Sequence, residues 1–165
     1  MRSVIKHRQI VEDDWQHVAD DAELPTGPVI ISEARWRQER TKLLARGEPV
    51  GVHLPNTANV AEIAADLPTL ALVALEFPKF ADGRAYSQAR LLRERYGFTG
   101  EIRAVGDVLR DQLFFMARSG FNAFELRADR SLEDALEAFK DFSDSYQPAA
   151  DQSLPLYRRR STMPG

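Results

Sequence analysis

The 165 residues are enough for one domain with a proper core, and a composition of 44% hydrophobic and 28% charged residues is that of an ordinary globular protein. The net charge of −3 at pH 7 argues against a nucleic-acid partner, because phosphate backbones attract basic surfaces. No run approaches the roughly 20 apolar residues that a membrane-spanning helix needs. The first residues also lack the apolar stretch of a signal peptide, so we expect a cytoplasmic protein with no membrane partner.

The chain contains no cysteine and only three histidines. Without cysteine it has no disulfide, no catalytic thiol and no thiolate-ligated iron–sulfur cluster. The histidines, His7, His17 and His53, are dispersed and form none of the spacings typical of zinc sites. We therefore expect no bound metal and no cofactor.

Residues 1–28 predict a lead-in rather than a unit of strand and helix. Their few apolar residues favour a short hairpin-like element, and we expect it to cover one edge of a sheet. Residues 1–146, including this lead-in, form one predicted domain. Residues 147–165 have no apolar period and several helix breakers, which indicates a loose tail.

A repeated pattern of strand and helix follows the lead-in. Predicted strands begin near residues 29, 50, 70, 101 and 122, and predicted helices cover 33–46, 59–67, 84–96, 108–119 and a segment from 131. Ser32, Asn59 and Ser131 precede helices as candidate N-caps. The spacing of about 20 to 30 residues between strands is typical of successive βα units.

This pattern predicts an α/β fold with a mostly parallel sheet of about five strands. We favour an open, doubly wound sheet, in which helices cover both faces. The alternative is a partial barrel, whose exposed strand edges would need covering by the lead-in or by a second subunit.

Polar residues cluster at the carboxyl ends of two predicted strands, where the chain continues into a helix. Ligands of parallel α/β domains bind at this end of the strands. If the two strands are neighbours, these residues line one cleft. Its arginines would suit a small anion, because the guanidinium group offers a fixed fork of donors. Asp107 and Asp111 are the candidate acid/base residues. The candidate ligand-binding residues are Asp82, Arg84, Tyr86, Ser87, Arg90, Arg103, Asp107 and Gln112.

A simpler interpretation applies to the two aspartates that precede helices, Asp82 and Asp107, because aspartate is a common helix cap. A carboxylate there would also repel an anion from the helix N-terminus. The chain contains no glycine-rich phosphate-binding motif, which weakens a nucleotide-binding interpretation.

The predicted helix 108–119 has a second distinctive side. Phe114, Phe115 and Arg118 lie away from its apolar core face. An aromatic side chain among charges favours a second packing surface over a cofactor site. We expect these residues to form an interface, and a homodimer is one possibility.

Two segments carry a family resemblance: F-A-D-G-R-A-Y-S at 80–87 and E-I-R-A-V-G-D-V-L-R-D-Q at 101–112. With the surrounding run from Phe77 to Leu126, they resemble the signature of a bacterial family of unknown function. Its members are described as oxidoreductases of sulfite reduction and are encoded beside assimilatory sulfite reductase.

The resemblance implies a role in sulfate assimilation and cysteine supply. It does not imply that the chain is the reductase, because reduction of sulfite to sulfide takes six electrons and this chain lacks both cysteine and a dinucleotide-binding fingerprint. It implies an accessory protein that binds sulfite reductase or a small anion. The alternative is a small enzyme acting on an oxyanion or carboxylate substrate.

Overall fold

The computed structural model describes residues 3–78, 83–127 and 131–145, with only the backbone over 140–145. Eight strands form one sheet, and helices connect most of them. The strands are β1 (Ser3–Lys6), β2 (Gln9–Glu12), β3 (Gln16–His17), β4 (Val29–Ser32), β5 (Val50–Leu54), β6 (Leu72–Phe77), β7 (Glu101–Gly106) and β8 (Ala123–Phe124). The α-helices are α1 (Glu33–Ala45), α2 (Arg84–Arg90), α3 (Leu113–Ser119) and α4 (Leu132–Ser145). A π-helical turn at Leu91–Arg95 extends α2, and 3₁₀ helices lie at Val60–Thr69 and Arg110–Gln112.

The order of strands in the sheet is β2-β1-β8-β7-β6-β5-β4-β3. Strands β3 to β8 are parallel, whereas β1 is antiparallel to both of its neighbours. The parallel strands follow chain order without a reversal, so right-handed crossovers place the connecting helices on one face. The expectation of an open doubly wound sheet is therefore wrong, because such a sheet reverses its strand order. The partial barrel is the architecture of this chain.

The two edges of the sheet are joined by a very short link. Strand β2 lies at one end of the order and β3 at the other, yet β2 ends at Glu12 and β3 begins at Gln16. Such a link spans at most about 14 Å, whereas the outer strands of a flat eight-stranded sheet would lie about 34 Å apart. The sheet must therefore curl strongly, into a half-barrel whose open side the link crosses.

The lead-in contributes strands to both edges of the parallel part. Strands β1 and β2 form the predicted hairpin, whose turn residues His7 and Arg8 have φ of 52° and 62°, a conformation typical of tight hairpin turns. Strand β1 pairs with β8, and β3 pairs with β4. The lead-in therefore covers one edge, as expected, and the other edge as well. The predicted tail over 147–165 lies outside the described residues.

The two faces of the half-barrel differ in character. Side chains alternate along each strand, so that Val73 and Leu75 of β6 join the main core under the helices, while Leu72 and Ala74 face the interior. The main core also contains the fully buried Trp36 of α1. The interior holds a much smaller apolar cluster: Ile30, Leu72, Ala74 and Val105, with the partly buried Trp15 packed against them. Polar side chains, among them Arg103 and Asp13, occupy other positions in the interior.

The predicted caps are confirmed. Ser32 Oγ accepts a hydrogen bond from the backbone of Arg35 at 3.1 Å, and Asn59 and Ser131 cap their helices in the same way. The predicted helix 108–119 is shorter than expected, because its regular part begins at Leu113. In the described part of the chain, no helix has the length and apolar character needed to cross a membrane.

Gly106 ends β7 with φ of +88°, and a Cβ built on it would lie 2.5 Å from the carbonyl oxygen of Phe77. We expect Gly106→Ala to lower the free energy of unfolding by about 2–3 kcal/mol, because the new methyl group forces backbone apart and the φ is strained for alanine. Chemical denaturation measures the loss.

Gly97→Ala is the matched control, because Gly97 has φ of +65° but open space around its Cβ position. It should lower the free energy of unfolding by only about 1–2 kcal/mol, which is the cost of a positive φ for alanine. Equal losses for the two variants would show that β6 and β7 are not closely apposed at Gly106.

Candidate functional site

Three of the predicted ligand-binding residues line one cavity of about 320 Å³ at the ends of β6 and β7. These strands are neighbours, as the prediction required. Tyr86 Oη donates a hydrogen bond to Gln112 Oε1 at 2.6 Å, and Asp107 lies on the same wall. Burial raises the pKa of Tyr86, and the negative charge of Asp111 raises it further, so the phenol remains a proton donor.

The two candidate acid/base residues differ in placement. Asp107 Oδ1 accepts a hydrogen bond from Arg127 Nη1 at 2.9 Å, and the following 3₁₀ helix begins after Leu109 without a side-chain cap. The interpretation of Asp107 as a helix cap is therefore wrong. Asp111 is exposed and does not line the cavity.

Three other predicted residues lie in neighbouring depressions rather than in this cavity. Arg84 and Ser87 line a separate depression beside the segment 56–60, on another side of α2. Arg90 lies in a third depression of about 340 Å³, together with Tyr86, Phe115 and Arg118. Asp82 lies outside the described residues. The structure thus divides these residues of the predicted cleft among three depressions, two of which share Tyr86.

The third depression includes two of the predicted interface residues. Phe115 is 50% exposed, whereas Phe114 is buried and packs edge to face against it at 6.1 Å between ring centroids. The guanidinium carbon of Arg118 lies 5.9 Å from the centroid of the Phe114 ring. The expectation that Phe114 projects outward is wrong, because its ring packs within the chain. Below, Arg90, Phe115 and Arg118 are called the α2–α3 surface.

Arg103 lies in the interior of the half-barrel and is 1% exposed, apart from the predicted cleft. Its Nη1 and Nη2 atoms donate to Asp13 at 3.0 and 3.1 Å, its Nε to Glu101 at 2.9 Å, and its Nη1 also to Glu125 at 3.1 Å. Burial alone lowers the pKa of Arg103, but the hydrogen bonds and charges of these carboxylates outweigh it and raise the pKa. Arg103 therefore holds three carboxylates together, which differs from the expected role at an anion site.

Four polar side chains surround the open end of the interior, and we call them the interior mouth: His17, His53, Glu76 and Glu125. His17 Nε2 lies 2.9 and 3.0 Å from the two oxygens of Glu125, and His53 Nε2 lies 3.1 Å from Glu76 Oε1. The two imidazole rings meet edge to face, with centroids 6.3 Å apart. The side chains of both histidines remain about a third exposed, at 33% and 34%.

The two imidazoles are not equivalent. Burial lowers the pKa of His53, and the nearby His17 lowers it further, although Glu76 and Glu125 act in the opposite direction. Its Nε2 is shielded from solvent and has no aligned hydrogen-bond partner among the described residues, despite the approach of Glu76. His53 is therefore a largely neutral imidazole at pH 7. Within the described ranges, no three histidine, aspartate or glutamate side chains are arranged to hold a metal ion.

Sequence reasoning missed the interior mouth because its members are far apart along the chain. One signal was present: Glu76 follows Leu72 and Ala74 at alternate positions of an apolar strand, and His53 stands near the end of β5. Both positions are on the face opposite the main core. The contact between His17 and Glu125, 108 residues apart, had no local signal.

The family model for bacterial proteins of unknown function, DUF934, matches residues 51–157. The chain belongs to this family. The family match contains both segments of the resemblance and three members of the interior mouth, His53, Glu76 and Glu125, whereas His17 precedes it. A search of curated proteins found no match to the chain.

Proposed function

We propose that this member of the DUF934 family is an accessory protein of assimilatory sulfite reduction, and that its α2–α3 surface binds the reductase. One observation carries the proposal: the half-exposed ring of Phe115 lies between Arg90 and Arg118 in a shallow depression. Exposed aromatic and arginine side chains are the types most enriched at the centres of protein interfaces.

The charges of this surface favour an acidic partner. The described residues that line the depression are Tyr86, Arg90, Phe115, Arg118 and Ser119, so two guanidinium groups border the exposed ring. Guanidinium groups bind carboxylates with two parallel hydrogen bonds and stack on aromatic rings, so the surface suits a glutamate- or aspartate-rich patch. A small anion bound between the two arginines would use the same donors.

The biological setting of this proposal comes from the resemblance in 80–87 and 101–112. The redox centre is assigned to the partner, since this chain has no cysteine with which to hold an iron–sulfur cluster. The first segment contains Tyr86, which lines the same depression, and the second ends at Gln112, directly before α3.

Arg118→Glu should weaken capture of sulfite reductase at least about tenfold, because it places a carboxylate opposite an acidic patch. Phe115→Ser should weaken it to a similar extent by removing the aromatic anchor. The measurement is a pull-down with the tagged protein from bacteria growing on sulfate, with the captured sirohaem read from its absorption spectrum.

Each variant has a matched control. Arg95→Glu makes the same charge change at an exposed position outside the depression, and Leu91→Ser removes a hydrophobic side chain that is 39% exposed in the separate depression beside 56–60. If the controls lose as much reductase as the test variants, the α2–α3 surface is not the binding site. If the wild type captures no reductase, the accessory role is wrong.

A second candidate function is favoured by the 320 Å³ cavity that Tyr86, Asp107 and Gln112 line. In a small enzyme acting on a carboxylate or oxyanion substrate, Tyr86 would donate a proton or hydrogen bond to the substrate. Arg127 would release Asp107 and bind the substrate instead. This function requires a ligand in the cavity. The test is to measure the melting temperature of the wild type and of Tyr86→Phe with and without small carboxylates. If this second function is right, the carboxylates raise the melting temperature of the wild type but not that of the variant.

A further inference from the structure

The interior mouth has the position of a ligand site. His53, Glu76 and Glu125 lie at or just beyond the carboxyl ends of parallel strands, and His17 lies on the parallel edge strand β3. In curled parallel sheets this end is where substrates and ligands bind. The mouth faces the interior, on the side of the sheet away from the helices and from the α2–α3 surface.

A buried layer below the mouth holds it in place. Glu125 contacts His17 with both oxygens and also accepts from Arg103, whose other donors are bound by Asp13 and Glu101. Arg103 and Asp13 are almost completely buried, with side chains 2% and 0% exposed. Supporting hydrogen bonds of this kind fix the orientation of the groups above them, which is what a binding site needs.

The charged side chains of the interior determine whether a positively or a negatively charged ligand is favoured. Four carboxylates, from Asp13, Glu76, Glu101 and Glu125, face two cations, Arg103 and Lys6, and the ammonium group of Lys6 lies 3.0 Å from Glu101. With His53 neutral, these groups of the described residues sum to a net negative charge. A concave surface of one sign concentrates ligands of the opposite sign, so this surface disfavours anions.

Nε2 of His53, which has no aligned hydrogen-bond partner among the described residues, indicates a second property of the ligand. A neutral imidazole offers a lone pair, and the carboxylate of Glu76 beside it offers two acceptor oxygens. Both accept hydrogen bonds from an N–H group. A protonated amine supplies several N–H donors together with the positive charge that the interior favours.

We propose that the interior mouth binds a small organic cation of the ammonium class, held by Glu76 and by the imidazoles of His17 and His53. Glu125 is a positioning residue in this site, because it orients His17 and is itself held by Arg103. The site is separate from the α2–α3 surface, so this inference stands independently of the proposed accessory role.

The test is NMR of the full chain labelled with ¹⁵N-histidine, titrated with methylammonium at constant ionic strength. We expect saturable shifts of the ring signals of His17 and His53 and none of His7, which lies on the exposed hairpin turn and serves as an internal control. Acetate, of similar size and opposite charge, should give no saturable shift.

Glu76→Gln should raise the dissociation constant for methylammonium about threefold or more, the effect of one partly exposed ion pair. Glu94→Gln makes the same change at an exposed position on α2's π-helical extension and should leave the constant unchanged. Linear shifts without saturation, equal shifts at His7, or equal binding of acetate would each overturn the proposal.

Discussion

Arg103→Met is expected to destabilise the protein by about 3–5 kcal/mol at pH 7, because it leaves three interior carboxylates without their shared cation. Arg103 binds Asp13, Glu101 and Glu125 through hydrogen bonds of 2.9–3.1 Å. The loss exceeds that of an exposed ion pair, since the guanidinium group is almost completely buried and water cannot replace it.

The loss should depend on pH in a defined direction. Without Arg103, the three carboxylates lie close together in the interior with no guanidinium group to balance them, and taking up a proton relieves their mutual repulsion in the folded variant. The folded variant then binds more protons than its unfolded chain, so its stability rises as pH falls from 8 towards 5. The difference in stability between variant and wild type should therefore shrink at pH 5.

Urea denaturation at pH 5, 6.5 and 8 measures this dependence. Arg103→Lys keeps the charge but offers fewer fixed donors, so its free energy of unfolding should lie between those of the wild type and Arg103→Met. Arg95→Met, at an exposed position, should be close to wild type at each pH. A loss for Arg103→Met that is the same at pH 5 and pH 8 would contradict the interior placement of the three carboxylates.

Trp36→Ala should lower the free energy of unfolding by about 3–5 kcal/mol, the range for removing a large aromatic side chain from a packed core. Trp36 is 0% exposed and joins α1 to the outer face of the sheet. Its Nε1 also donates to Asp66 at 3.0 Å, which ties α1 to the 3₁₀ helix at Val60–Thr69. The variant loses both the buried volume and this connection.

Trp36→Phe separates these two contributions. It keeps most of the ring volume but removes the hydrogen bond, while Asp66 retains its ion pair with Arg40 at 2.8 Å. We therefore expect a smaller loss of about 1–2 kcal/mol. Urea denaturation followed by far-ultraviolet circular dichroism avoids the change in tryptophan fluorescence. A loss for Trp36→Ala below that for Trp36→Phe would show that this side chain is not part of the core.

The sequence predicted the elements of the fold better than their arrangement. The parallel strands β4 to β7 and the caps Ser32, Asn59 and Ser131 followed from apolar runs and local hydrogen-bonding chemistry, which act over a few residues. The choice between an open sheet and a partial barrel depended on strand order, which no local pattern reports. The short link between Glu12 and Gln16 decides it, but only once the partners of β2 and β3 are known.

The candidate site shows the same division. Tyr86, Asp107 and Gln112 line one cavity, because they follow neighbouring strands. Arg103 was assigned to the same cleft, but its position within β7 points it to the opposite face, as the alternation of side chains along a strand requires. Whether any of these residues binds a ligand stays a prediction.

The short link across the half-barrel has a consequence for how the chain folds. Residues 3–17 supply both borders of the sheet, and they pair with β8 at one border and β4 at the other. His17 also reaches Glu125, 108 residues later in the chain. During synthesis, these residues emerge long before β8 does, so one border stays unpaired until β8 has been made. Contacts of such long range slow folding, since the circuit of strands is completed only when β1 pairs with β8.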